Sequence, residues 1–194
     1  MSLPEPLDPA SDITPGKMTA IYIAVLAVLI AIASIGDDDA TKTMMRSSIE
    51  AADTYAFYQA KTIRQTGVRL AADDFEIRLA DPALQDEMRK RLQDKVNAYR
   101  ATADRYESEP ETGDGKKELL AKAGLLEADR DLAGKRDPYF DLGQALLQIA
   151  IVLASASLII ASALLLWVSG VLGVLGALAT VNAFTLWVSL PFLN

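Results

Sequence analysis

The 194-residue sequence contains no cysteine and no histidine. Without cysteine, the chain has no disulfide bond, no thiolate nucleophile and no thiolate metal site. Without histidine, it lacks the commonest general base and the commonest transition-metal ligand. Basic residues are also outnumbered, with 19 Lys and Arg against 26 Asp and Glu. Because phosphate binding needs a basic surface, this balance predicts no nucleic-acid partner.

Catalytic motifs are missing as well. The sequence has no Gly-rich phosphate loop, no nucleophile elbow and no metal-ligand spacing. The neighbouring carboxylates Asp73 and Asp74 lie on a predicted solvated helix, where their pKa values are not expected to suit acid–base catalysis. The acidic triplet 37–39 points in three directions about 100° apart on a helix, so it does not converge on one ion. We therefore expect a protein that is not an enzyme and has no cofactor and no metal.

The charged residues are concentrated in the middle of the chain. Of the basic residues, only Lys17 lies outside residues 37–141, and of the acidic residues only Glu5, Asp8 and Asp12 do. Apolar ends around a charged centre are typical of a membrane protein with an extramembrane insertion. The sequence therefore predicts an all-α integral membrane protein in contact with membrane lipid.

Three apolar segments predict three transmembrane helices, at 18–36, 139–169 and 170–191. Each is long enough, at 1.5 Å per residue, to cross a hydrocarbon core of about 30 Å. A Pro-rich acidic tail, 1–17, precedes the first and is expected to be disordered. The connection between the second and third is predicted at Ser169–Gly170.

The third segment carries small residues at Gly170, Gly173 and Gly176, followed by Ala177 and Thr180. Small residues on one helix face let helix backbones approach closely in a membrane. We therefore expect this face to pack against another helix.

Residues 37–138 predict a charged helical hairpin, a coiled-coil-like stalk between the first and second membrane helices. Its first arm continues the first membrane helix to Leu79, because no proline interrupts it before Pro82. The returning arm is predicted as a helix over 83–108, a turn at 110–115 and another helix over 116–136 that ends at Asp137–Pro138. One face of the first of these helices carries Leu84, Met88, Leu92, Val96 and Tyr99.

A heptad pattern runs along the first arm. Its small or apolar positions are Ile49, Ala52, Ala56, Ile63 and Leu70, with polar Gln59 and Thr66 between them. Such spacing is typical of a helix–helix seam in which polar residues set register and partner number. It predicts a homo-oligomer.

Three aromatic residues, Tyr55, Phe57 and Tyr58, lie at one level of the same arm. Packing between stalk helices is the favoured interpretation, and a ligand cage is the alternative.

The third membrane segment contains Asn182. An amide buried in hydrocarbon needs a hydrogen-bond partner, which favours an interhelical hydrogen bond over a transport site. The candidate interaction residues are Tyr55, Phe57, Tyr58, Gln59, Lys61 and Asn182.

Three stretches, ADTYAFYQAKTIR at 52–64, LLQIAIVLASASLI at 146–159 and NAF at 182–184, together resemble a bacterial membrane family known only as the domain-of-unknown-function 4337 family. The resemblance covers most of the chain and implies no activity. Family members carry basic residues before the first membrane segment and in the loop between the last two, which implies a cytoplasmic N-terminus and a periplasmic stalk. This sequence keeps only Lys17 of that pattern and has no charge near Gly170.

Taken together, these features predict a non-enzymatic scaffold or accessory protein of the bacterial inner membrane. It would act through homo-oligomerisation, or through partner binding in a larger membrane complex, by means of its stalk. The alternative is an oligomeric channel or transporter with a pore lined by the third segment at Thr180, Asn182 and Thr185. No membrane segment carries an ionisable residue at its centre, which argues against an ion pathway.

Overall fold

A computed structural model describes residues 15–191, and over this range the chain is all-helical, with four α-helices and no strand. The helices are α1 (Pro15–Leu79), α2 (Asp86–Glu107), α3 (Lys116–Ile160) and α4 (Ala163–Thr185). Three of them, α1, α3 and α4, are long and apolar enough to cross a membrane. The predicted helical fold class with three such helices is therefore confirmed.

The predicted disordered tail falls mainly on residues 1–14, which lie outside the described residues. Its last three residues, 15–17, belong instead to α1. Proline is well suited to the first helical position, since its φ angle is preset and its missing N–H has no intrahelical acceptor there.

Helix α1 is continuous over 65 residues, from the apolar segment through the acidic triplet into the charged arm. The sequence predicted this continuity from the lack of proline. The boundary drawn at residues 36 and 37 is therefore a change in side-chain character and not a break in the backbone.

The chain forms two compact units, which we call the apolar unit (residues 15–43 and 132–191) and the hairpin unit (residues 44–131). In the hairpin unit, α1 packs first against α3 and then, towards its C-terminal end, against α2. Phe75 of α1 stacks on Tyr99 of α2 with 5.7 Å between ring centroids, and Arg100 forms an ion pair with Glu76. These contacts place α2 alongside α1 within the hairpin unit, and the separate extramembrane stalk stays a prediction.

Two polar side chains hold the connections of the hairpin unit. Arg89 donates hydrogen bonds to the carbonyl oxygens of Leu79 (2.8 Å) and Asp81 (3.1 Å), where α1 ends. The carboxylate of Glu118 accepts from Ser108 Oγ at 2.7 Å and from the Glu109 amide at 3.2 Å. These bonds satisfy groups that a helix end leaves without partners.

The predicted face of α2 is largely correct. Val96 is buried and Leu92 and Tyr99 are half-buried, whereas Met88 is 47% exposed. Helix α2 begins at Asp86, three residues later than predicted, so Leu84 lies before it.

The prediction that a helix ends at Asp137–Pro138 is wrong, because α3 runs through Pro138. A proline inside a helix removes one hydrogen bond and costs about 3 kcal/mol. The next two residues, Tyr139 and Phe140, are buried in a cluster with Ala40 and Ala183. Burying two such side chains contributes about 1.5–3 kcal/mol each, enough to keep the helix continuous.

The predicted connection at Ser169–Gly170 is also wrong. The chain turns at residues 161 and 162, where Ala161 adopts a left-handed conformation with φ of 52°, and Ser169 and Gly170 lie inside α4. The second apolar helix therefore ends at Ile160 and the third at Thr185, earlier than the predicted limits of 169 and 191.

Small residues form the buried face of α4: Ser169, Gly173, Gly176, Thr180 and Ala183. A Cβ atom on Gly176 would lie 3.0 Å from the carbonyl oxygen of Gly143 in α3, and one on Gly173 would lie 2.7 Å from Tyr22 Oη in α1. The predicted small-residue face therefore brings α4 close to both neighbours. Gly170 does not take part, since a Cβ there would meet nothing within 4 Å.

Candidate functional site

The three predicted aromatic residues do not form a cage, because their side chains have different neighbours. Tyr55 is half-buried, and burial raises the pKa of its hydroxyl, with a further rise from its hydrogen bond to Glu127. Tyr58 is half-buried beneath the ammonium of Lys116, which lies 5.6 Å from its ring centroid. Phe57 is 40% exposed. Each ring therefore packs separately.

Lys61, the one basic residue among those predicted to interact, is buried, with only 6% of its surface exposed. Its Nζ lies 5.3 Å from the centroid of the Phe57 ring and 5.8 Å from that of Tyr106. Attraction to the ring faces stabilises an ammonium that is partly removed from water. Lys61 thus joins α1 to α2 inside the hairpin unit.

One turn further along α1, a partly buried polar network connects three helices. Gln65, 2% exposed, donates through Nε2 to the carbonyl oxygen of Ala103 at 2.8 Å and to Glu107 Oε2 at 2.9 Å. Lys116 Nζ donates to Gln65 Oε1 at 2.9 Å and to Glu107 Oε2 at 3.1 Å. Every polar atom of the Gln65 amide is used, so this cluster specifies how α1, α2 and α3 meet.

The same network shifts the titration of its carboxylate. Hydrogen bonds from Gln65 and then Lys116 hold the pKa of Glu107 below its usual value of 4.5, although burial acts in the opposite direction. Glu107 is therefore ionised at neutral pH and remains a hydrogen-bond acceptor.

The seam predicted from apolar residues does not face the other helices of the chain. Ile49, Ile63 and Leu70 are 59%, 74% and 64% exposed, and Gln59 and Thr66 between them are exposed as well. The face of α1 that packs within the hairpin unit has the same seven-residue spacing but smaller or polar residues: Ser47, Ala51, Thr54, Lys61, Gln65 and Ala72. We call the exposed row of Ile49, Ala56, Ile63, Leu70 and Ile77 the outer stripe.

In the apolar unit, Ser169 connects all three helices. Tyr22 Oη of α1 donates to the Ser169 carbonyl oxygen at 2.8 Å, and Ser169 Oγ donates to the Ala150 carbonyl oxygen of α3 at 2.7 Å. Ser169 is completely buried. Because unsatisfied polar groups are costly in an apolar environment, these bonds favour one arrangement of α1, α3 and α4.

Asn182 does not form the expected interhelical hydrogen bond. Its amide donates to the carbonyl oxygen of Val188 at 2.8 Å and accepts from the Val188 amide at 2.9 Å, just beyond the end of α4. The other proposed pore residues, Thr180 and Thr185, donate to carbonyl oxygens one turn earlier in the same helix. The channel hypothesis remains a prediction, and none of these contacts favours it.

Sequence reasoning missed Gln65, Glu107, Lys116 and Ser169. Gln65 shares a seven-residue spacing with the buried Ala51 and Ala72, but such small side chains give this row little hydrophobic signal. A search for apolar heptads selects the outer stripe instead, because its side chains are larger and more hydrophobic. Within residues 15–191, no group of three or more acidic side chains is arranged to hold a metal ion.

Comparison with protein families gives a match over most of the chain. The family described as "Domain of unknown function (DUF4337)" matches residues 16–186. No curated protein and no solved structure matches the chain.

Proposed function

Because the chain belongs to the DUF4337 family, whose function is unknown, we propose from its own residues that it is a non-enzymatic membrane scaffold or accessory protein. It acts by self-association or by binding a partner through the hairpin unit. The apolar unit anchors it in the membrane, and the hairpin unit forms an extramembrane stalk.

The outer stripe is the observation that carries this proposal. On α1 the exposed face holds isoleucine and leucine, while the face buried within the hairpin unit holds alanine, serine, threonine, lysine and glutamine. Exposed large apolar side chains that recur every seven residues on one helix are typical of a seam that packs against another helix. The arrangement is therefore that of a helix that contacts a partner on its outer face.

The polar network supports a structural role over a catalytic one. Gln65, Glu107 and Lys116 bond to one another and to a backbone carbonyl, which leaves them committed to packing. A catalytic group would need to reach a substrate in a cleft. The three residues instead hold the hairpin together.

For location, we propose the bacterial inner membrane, with the N-terminus in the cytoplasm and the hairpin unit in the periplasm. The family resemblance supports this orientation. A direct test uses the lack of cysteine in the natural chain. Single cysteines at Glu111, in the turn of the hairpin unit, and at Gly16, at the start of α1, both occupy exposed positions.

We expect a membrane-impermeant maleimide added to intact cells to label Glu111→Cys and not Gly16→Cys. After permeabilisation both variants should react, which shows that both thiols are accessible. The reverse pattern in intact cells would place the hairpin unit in the cytoplasm and overturn the proposed orientation.

To test the proposed function, the protein is purified from native membranes in a mild detergent and its mass is measured. We expect a defined homo-oligomer, or a stoichiometric complex with another membrane protein. A monomer that co-purifies with nothing, at concentrations near those in the membrane, would contradict the scaffold function.

A further inference from the structure

The outer stripe has the geometry of a coiled-coil seam. Its members recur every seven residues from Ile49 to Ile77, over about 42 Å of helix at 1.5 Å per residue. Three positions further on, a second exposed row contains Ala52, Gln59, Thr66 and Asp73. The two rows correspond to the a and d positions of a heptad repeat.

The intrachain contacts leave this seam open. The face of α1 that packs within the hairpin unit also follows a seven-residue spacing, from Ser47 through Thr54 to Lys61. Each of these residues precedes a member of the outer stripe by two positions. Two residues rotate the direction by about 200° on a helix, so the two seams lie on opposite sides of α1. Beside the stripe, a Cβ atom on Gly67 would meet nothing within 4 Å.

A second copy of the chain fits this seam in both direction and register. Helix α1 runs without a break from the apolar segment into the stripe. Two copies anchored in one membrane with the same orientation therefore have parallel stripes. In both copies the stripe begins the same number of residues after the apolar segment, so the two stripes are in register. In a parallel in-register pair, each a position packs against its own counterpart.

The charges beside the stripe complement a parallel copy. Arg69 occupies a g position and Asp74 the e position of the following heptad. Both side chains are more than half exposed, and each already has a partner within the chain, Arg69 with Glu107 at 4.0 Å and Asp74 with Arg78 at 2.9 Å. Parallel coiled coils bring g of one helix beside e of the next heptad in the partner. The symmetric pair therefore contains this opposite-charge contact twice.

We propose that the outer stripe is the interface of a parallel, in-register homodimer of α1 helices. This inference rests on the proposed function and specifies its partner as a second copy of the chain. Gln59 and Thr66 face their counterparts inside the seam, where polar pairs fix register. Asp73 also faces its counterpart, and this like-charge contact weakens the C-terminal part of the seam.

Disulfide formation in native membranes tests the register. Ile63→Cys places thiols at facing positions, within the roughly 7 Å Cα separation that a disulfide tolerates. Arg64→Cys is the matched control, since it is also exposed and lies one residue further on, pointing about 100° away. Under mild oxidation we expect a cross-linked dimer for Ile63→Cys and little for Arg64→Cys.

A charged substitution tests the interface itself. Leu70→Lys places two like charges in the seam and should weaken self-association on the order of 100-fold, because the dimer loses two buried leucines. Leu125→Lys on α3 is the control, since Leu125 is 70% exposed and lies outside the stripe. Neither change should alter helix content, because both side chains are exposed in the protomer.

The outcomes separate this inference from the proposed function. If the purified protein is oligomeric but Ile63→Cys does not cross-link and Leu70→Lys leaves its mass unchanged, the stripe is not the interface, while the scaffold function stands. Equal effects of Leu70→Lys and Leu125→Lys would also overturn the proposed interface. If Leu70→Lys releases a different protein from a monomeric chain, the occupant is that protein and the second-copy proposal is wrong.

Discussion

Replacing Gly176 by leucine is expected to destabilise the apolar unit by about 1–3 kcal/mol, the usual cost of overpacking a close contact. A Cβ atom at Gly176 would lie 2.8 Å from Leu147 Cγ, 3.0 Å from the Gly143 carbonyl oxygen and 3.1 Å from the Leu147 amide nitrogen. Two of these atoms belong to the backbone of α3 and cannot move aside without shifting the helix. The substitution therefore separates α4 from α3.

Gly170→Leu is the matched control, in the same helix and with the same added side chain. A Cβ there would meet nothing within 4 Å, so we expect little change in stability. Both tryptophans, Trp167 and Trp187, belong to the apolar unit, so tryptophan fluorescence during unfolding in detergent reports on this unit. Equal unfolding midpoints for the two leucine variants would contradict the close α3–α4 contact.

Replacing Gln65 by methionine is expected to destabilise the hairpin unit by about 2–4 kcal/mol. Methionine has a similar length but cannot bond to the Ala103 carbonyl, the Glu107 carboxylate or the Lys116 ammonium. Lys116 is only 13% exposed and loses one of its two oxygen partners. A buried group left without a partner retains its desolvation penalty, which is why the loss exceeds that of an ordinary surface hydrogen bond.

Arg64→Met provides the control for this change, because Arg64 is exposed on the same helix and lies outside both rows of the proposed seam. Surface substitutions of this kind usually change stability by less than about 0.5 kcal/mol. Hydrogen exchange measured by mass spectrometry over α2 is the readout, and faster exchange is expected for Gln65→Met alone. Unchanged protection in that variant would show that the network does not hold α2 against α1.

Of the polar residues that hold the hairpin unit together, the sequence identified one and missed another. Lys61 was among the interaction residues predicted from the sequence, and it is buried between two rings. Gln65 lies four residues later and forms hydrogen bonds with Ala103, Glu107 and Lys116. Nothing in its sequence neighbourhood distinguishes it from Gln59 or Thr66. Its partners Glu107 and Lys116 come from other helices, and only the folded hairpin brings them together.

The sequence by itself determined the helical class, the three apolar segments and the continuity of α1, because these depend on composition and on the positions of proline. It also determined the small-residue face of α4, since glycines at helical spacing allow a close approach wherever the partner lies. These properties are local, and local preferences act along a single helix.

The tertiary structure decided the helix ends and the choice of faces. Pro138 stays within α3 because Tyr139 and Phe140 are buried beside it. The turn falls at residues 161 and 162, which leaves Ser169 inside α4, where it bonds with both α1 and α3. On α1, the buried face carries the polar network and the outer stripe stays exposed, because hydrogen-bond partners from α2 and α3 lie on one side only. Each of these results depends on contacts between distant parts of the chain, whose combined free energy exceeds the local preferences for ending or turning a helix.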